Sequence, residues 1–192
     1  MAQRDIHTRR ILTIPNLLSV FRLILAGVFA VIYWNADSQS DYYYAIGVLA
    51  LSGLTDFADG KIARHFHMIS ELGKVLDPIA DKLTQAVVAF CLCRHYQFMK
   101  LLLLILVIKE VGQGIYGLYA VKQAGYNDGA MWCGKVTTFY LYAMMVLLLL
   151  VPGIPSILSN VLILIGVGLL LWSFVTYLLM FRAMVRRAKN ET

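Results

Sequence analysis

Four aspartates stand at intervals of three and four residues within the stretch TDFADGKIARHFHMISELGKVLDPIADK, residues 55–82. Asp56 and Asp59 are three apart, which puts both on one face of a helix. Gly73, Asp77 and Asp81 are each four apart and line one stripe of a second helix. A short turn between two such helices would pool up to eight carboxylate oxygens from these four side chains. Hard oxygen donors without a soft ligand suit Mg²⁺, Mn²⁺ or Ca²⁺ rather than zinc or copper. Carboxylate clusters of that size often hold two metal ions around a phosphate. Gly60 and Gly73 would let a ligand approach the backbone, and the planar guanidinium of Arg64 is shaped to grip a phosphate. The same charges also fit a purely ionic arrangement, with Lys61, Arg64, Lys74 and Lys82 as partners. Spacing alone leaves both readings open.

The elements that must carry these residues are apolar. The chain has 192 residues, 60% of them hydrophobic and only 15% charged, against about 25% charged in an ordinary soluble domain. Its mean hydropathy is +0.71. A bilayer-spanning helix needs roughly 20 apolar residues. Six candidate spans follow, near residues 14–34, 43–62, 78–93, 100–121, 135–151 and 157–180, the third being the shortest. The fold class expected is therefore all-α and integral to the membrane. The connections are short, so neighbouring helices are expected to be antiparallel and residues 1–192 to form one domain. Residues 6–15 mix Arg9 and Arg10 with Ile6, Ile11, Leu12 and Ile14. They read either as a short amphipathic helix on the membrane surface or as an extended basic terminus.

Charge sets the expected orientation. With the N-terminus inside, thirteen Lys and Arg fall in inner segments, and only Arg94 and Lys100 in outer ones. That bias places both termini and the aspartate stretch on the cytoplasmic side. Tyr42, Tyr43 and Tyr44 fit an outer aromatic belt. The net charge of +6 then reflects topology and anionic lipid rather than nucleic acid; no basic-aromatic interleaving of the kind single strands require is present. Cys91, Cys93 and Cys133 form no CxxC pair and read as buried small hydrophobes. The first residues lack a small-residue cleavage site and do not read as a signal peptide.

The aspartate stretch resembles the CDP-alcohol phosphotransferases. Their pattern, D-x-x-D-G-x-x-A-R, about eight residues, then G-x-x-x-D-x-x-x-D, is complete here at Asp56, Asp59, Gly60, Ala63, Arg64, Gly73, Asp77 and Asp81. The six-helix reading and IPNLLSVFR near the start are similar to that family too. The resemblance implies a metal-dependent membrane enzyme that moves a substituted phosphate from a CDP-linked donor to an alcohol and releases CMP. It implies two divalent ions, Mg²⁺ or Mn²⁺, held by Asp56, Asp59 and Asp77. Asp81 would help hold metal and serve as general base. Gly60, Ala63, Arg64 and Gly73, with Asn16 and Arg22 reaching in from the first helix, would lie at the substrates. A homodimer in a bacterial-type inner or plasma membrane is implied as well.

The acceptor is read from two further places. Lys109 and Glu110 lie inside the fourth span, where a charge marks a functional site unless the two simply neutralise each other. Lys135 lies at the inner mouth of the fifth, where it could also snorkel to the interface. Members that make phosphatidylglycerophosphate have Arg-Glu and Gly-Lys-x-Lys-Thr at these places. Here Lys109 replaces the Arg and Thr137 the second Lys. Arg22, Lys109 and Lys135 could still receive glycerol 3-phosphate, with CDP-diacylglycerol as donor. The alternative is phosphatidylglycerol as acceptor, as in the family's cardiolipin-synthase branch. A cation transporter with buried aspartates is the rival from another class, but transporters usually hold such charges at mid-bilayer on broken or repeated helices.

Overall fold

A computed structural model describes residues 14–65, 71–124, 131–151 and 153–190, with side chains at 16–55, 76–123, 131–151 and 153–188. Among these residues the chain is helical, with no strand. Six helices follow one another: α1 Ile14–Trp34, α2 Gln39–His65, α3 Glu71–Leu92, α4 Met99–Ala124, α5 Trp132–Leu150 and α6 Ser156–Asn190. Each overlaps one expected span. Four are long and apolar enough to cross a membrane by length and composition: α1, α4, α5 and α6. In α2 and α3 the acidic stretch lowers the hydropathy. The amphipathic N-terminal segment expected at residues 6–15 lies almost wholly outside the described residues.

Two boundaries differ from expectation in an instructive way. Pro78 was expected to open the third span, yet α3 starts seven residues earlier and carries Pro78 inside it. Proline cannot donate to the carbonyl four residues back, so the turn at Lys74 gives up one ladder bond while the helix continues. Gly73, Asp77 and Asp81 thereby share one continuous helix. At the other end of the chain, α6 runs ten residues beyond Met180, to Asn190. Its 35 residues span about 52 Å at 1.5 Å per residue, well beyond a hydrocarbon core of about 30 Å. The overhang carries Arg182, Arg186 and Arg187.

The chain forms two compact units, residues 1–91 and 92–192. In the first, α1 packs on α2. Ala26, Phe29, Tyr33, Ala36, Ala45 and Ala80 are buried there. Tyr33 meets Tyr42 edge-on at 5.3 Å, and Trp34 stacks on Phe90 at 5.3 Å. Tyr43 and Tyr44 are exposed. α2 begins with a capping box. Ser38 Oγ accepts from the Asp41 backbone N–H at 3.3 Å, and Asp41 Oδ2 accepts from the Ser38 N–H at 2.9 Å.

In the second unit, α6 packs on both α4 and α5, around Leu102, Leu141, Met145, Leu148, Ile163 and Leu170. Between membrane helices close van der Waals contact, not water exclusion, supplies the attraction, so small residues mark the seams. A Cβ at Gly112 would lie 3.3 Å from the Phe174 ring, and one at Gly117 3.0 Å from Phe181. At Gly166 it would meet Leu102 at 3.1 Å and Leu141 at 3.2 Å. Gly114 and Gly168, expected to serve the same purpose, have nothing within 4 Å; they point away from these seams. None of the three cysteines is in a disulfide; Cys91 and Cys133 are buried and Cys93 is partly exposed.

Candidate active site

Within the first unit, α1 presents a polar stripe inside an apolar helix. Asn16, Ser19 and Arg22 recur every third residue and are 6%, 0% and 2% exposed. Leu17, Val20, Phe21 and Ile24 around them are exposed, which is the lipid-facing side of a spanning helix. The polar stripe meets the aspartates of α3. Ser19 Oγ donates to Asp77 Oδ1. Arg22 Nη1 donates to Asp81 Oδ1 and forms an ion pair with it. Asp81 keeps nearly half of its side chain exposed, at 47%, while the Arg22 side chain is sealed at 3%.

The stripe of α3 continues along the helix. Thr84 and Gln85, one turn past Asp81, are 6% and 1% exposed, and Thr84 Oγ1 and Gln85 Nε2 have no hydrogen-bond partner among the described residues. Ser52, four residues before Asp56 on α2, is also buried. These small polar residues and Ser19 escaped the sequence reading. Serine, threonine and glutamine occur on membrane helices for many reasons; only the three-residue recurrence with Asn16 and Arg22 could have marked Ser19.

The other expected site residues divide cleanly. Asp56, Asp59, Gly60, Ala63 and Arg64 lie on α2, and Gly73 on α3, by backbone; their side chains lie outside the described residues. Among the described residues no three His, Cys, Asp or Glu side chains gather into a metal-ligating group. Asp77 and Asp81 carry hard carboxylate oxygens, a chemistry that fits Mg²⁺ or Mn²⁺ and not a soft metal. Arg22, from another helix, forms an ion pair with Asp81; the side chains of Lys61, Arg64 and Lys74, which a purely ionic arrangement would use, lie outside the described residues.

In the second unit Lys109 is 4% exposed and its Nζ donates to Glu110 Oε1 at 2.8 Å. The mutual neutralisation that the sequence left open is thus present as a contact, although adjacent helical residues point apart. The four-carbon stem of lysine is long enough to fold back across the step. Lys135, in the first turn of α5, is exposed and holds its ammonium 5.4 Å from the centre of the Trp132 ring, a cation–π contact. Thr137 is 1% exposed, and its hydroxyl donates to the Cys133 carbonyl at 2.8 Å. Nearby, Tyr177 Oη accepts from the Met131 N–H at 3.0 Å and packs against Gly134.

Comparison with known proteins adds an independent line. A family model described as CDP-alcohol phosphatidyltransferase matches residues 12–184. A protein of Streptomyces coelicolor named cardiolipin synthase (CMP-forming) is 33% identical over 191 residues, covering 94% of this chain and 88% of its own. One of Pseudomonas fluorescens, named CDP-diacylglycerol--glycerol-3-phosphate 3-phosphatidyltransferase, is 30% identical over 174 residues, covering 87% and 89%. A putative cardiolipin synthase of Mycobacterium tuberculosis is 43% identical over 74 residues, 38% of this chain and 34% of its own.

Proposed function

The chain belongs to the CDP-alcohol phosphatidyltransferase family, and from that membership we propose that it moves the phosphatidyl group of CDP-diacylglycerol to glycerol 3-phosphate. The acceptor hydroxyl oxygen attacks the phosphorus that bears diacylglycerol. The bond from that phosphorus to the bridging oxygen breaks, and CMP departs with the electron pair. Asp81 accepts the hydroxyl proton. Asp56, Asp59 and Asp77, with Asp81, would hold two divalent cations, Mg²⁺ or Mn²⁺. Ions held there would supply charge neutralisation for the pyrophosphate and so make CMP a better leaving group. Gly60, Ala63, Arg64, Gly73 and Asn16 take the CDP moiety, while Arg22, Lys109 and Lys135 serve the acceptor.

The observation that carries this reading is the pair of carboxylates, Asp77 and Asp81, held on one stripe of α3 by donors from α1, inside a motif complete in sequence. Phosphoryl transfer relies on positioning and charge stabilisation more than on covalent help, and a sealed polar stripe in an apolar helix is a positioning device. The family model runs through both compact units, so we treat the whole chain as one catalytic domain. Its site faces the cytoplasm in a bacterial-type inner or plasma membrane, and the working form is a homodimer. Membership in a transferase family stands against the cation-transport alternative.

A second acceptor is favoured by one specific observation. Thr137, where glycerol-3-phosphate-using members have a second lysine, is buried and bonded to backbone, so it offers the acceptor no charge. Phosphatidylglycerol carries one negative charge fewer than glycerol 3-phosphate and fits that loss; the Streptomyces coelicolor relative is named cardiolipin synthase (CMP-forming). Purified protein given CDP-diacylglycerol, Mg²⁺ and either acceptor should release CMP with one of them, and the lipid formed names it. Asp81→Asn should slow CMP release at least ~100-fold, the usual size of a general-base contribution. Absence of CMP with every alcohol offered would end the reading.

A further inference from the structure

We infer that Ser19 is a positioning residue for the cation site: its hydroxyl fixes the Asp77 carboxylate as a neutral donor and so leaves that carboxylate's charge for a divalent ion. The inference rests on the reading of Asp77 as a metal ligand proposed above.

Two bonds tie α1 to α3, Ser19 to Asp77 and Arg22 to Asp81. Ser19 precedes Arg22 by three residues and Asp77 precedes Asp81 by four, so the helices run in the same direction here. The two rungs rise about 4.5 Å along α1 and about 6 Å along α3. The partners differ in kind. At Asp81 the donor is a guanidinium, which spends part of the carboxylate's charge on a fixed internal cation. At Asp77 it is a hydroxyl, which carries no charge. A carboxylate offers about four lone-pair sites over its two oxygens, and one serine proton occupies one of them. The hydroxyl therefore restrains rotation of the carboxylate while leaving most of its capacity, and all of its charge, for a ligand. A lysine or arginine at position 19 would have competed with a metal ion instead.

Burial strengthens the assignment. Ser19 is 0% exposed, so water cannot replace the bond if the hydroxyl is removed. Its neighbours Leu17, Val20 and Phe21 face lipid, and a serine on this apolar helix finds its polar partner inward. Groups that orient a metal's carboxylate ligands are typically worth 10–100-fold in metal affinity or activity.

The test compares the unchanged chain with Ser19→Ala, Ser19→Cys and Ser19→Thr, purified in detergent. Mn²⁺ uptake is read from loss of the free-ion electron paramagnetic resonance signal, melting temperature is read in chelator, and CMP release is read as a function of metal concentration. Ser19→Ala should need at least ~10-fold more Mn²⁺ for half occupancy. Ser19→Cys, nearly the same shape but a weak donor, should also bind more weakly and serves if the alanine variant does not fold. Ser19→Thr restores the hydroxyl and should restore uptake. The metal requirement for CMP release should rise in step, with the rate at saturating metal changing less. Variants lacking the hydroxyl that take up Mn²⁺ like the unchanged chain would overturn the inference, as would weak uptake that Ser19→Thr leaves unrepaired. If the unchanged chain binds Mn²⁺ but never releases CMP, the proposed reaction falls while the role of Ser19 is still decided by uptake. If it binds no Mn²⁺, both fall.

Discussion

Gly134 shows how tightly single side chains are set in the first turn of α5. A Cβ there would stand 2.7 Å from Tyr177 Oη and 3.0 Å from its ring, closer than carbon atoms tolerate. Tyr177 cannot swing away cheaply, because its Oη accepts from the Met131 N–H and its ring packs in the buried cluster of Ala120, Cys133, Phe181 and Met184. Gly134→Ala should therefore destabilise by about 1–3 kcal/mol, the usual cost of overpacking. Gly114→Ala, with nothing within 4 Å, should be neutral or stabilising by up to ~1 kcal/mol from helix propensity. Melting temperatures in detergent separate the two. What sequence could show at this scale was uneven. Asp77 and Asp81 were legible because a helical stripe of carboxylates in an apolar chain has few innocent explanations. At Lys109 and Glu110 the sequence showed two intramembrane charges but not their contact, which depends on how far the lysine stem folds back. Ser19 was invisible because its meaning depends on which helix lies opposite, and one sequence does not say.

At the scale of elements, apolar length placed all six helices, and the residues that deviate are those where polarity interrupts length. α3 was read as too short because Pro78 looked like a start signal; the helix runs through it. α6 was read as ending with its apolar run, whereas the helix persists into its basic turns. α2 starts at the capping box of Ser38 and Asp41, a signal present in the sequence as S-x-x-D but overshadowed by the aromatic run behind it. Removal of that cap should be measurable: Ser38→Ala should cost roughly 0.5–2 kcal/mol. The same bonds predict a pH dependence. The Ser38 hydroxyl, then the Ser38 and Asp37 backbone N–H groups, hold the Asp41 carboxyl below its ordinary value of 3.8. A carboxylate depressed on folding stabilises the fold above its unfolded pKa, and that contribution is lost as pH falls through the folded one. Melting temperature should thus decline on acidification below about pH 4 in the unchanged chain, and Asp41→Asn should remove that part of the decline. An identical acid profile for the variant would show that the cap is not ionic.

For the whole molecule, orientation joins the site to its substrates. CDP-linked donors are made and used where nucleotides are, so the aspartates must face the cytoplasm for the proposed reaction to run. The charge distribution predicts that they do, with thirteen Lys and Arg on the inner side and two on the outer. Six crossings, if α2 and α3 span along with the four apolar helices, would return the C-terminus to the side of the N-terminus. α6 makes this testable, because its basic residues Arg182, Arg186 and Arg187 lie on a helix longer than the bilayer is thick and, with that orientation, would anchor in the anionic inner surface. A green fluorescent protein fused after Thr192 should fluoresce in a bacterial host, since that reporter folds inside, and an alkaline phosphatase fused there should stay inactive, since it folds only outside. Moving the phosphatase to the α3–α4 connection at Tyr96 should reverse the result. If the C-terminal phosphatase is active, an odd number of crossings separates the termini. One of the two less apolar helices, α2 or α3, would then lie along the surface, and the aspartate hairpin they form would need a different membrane position.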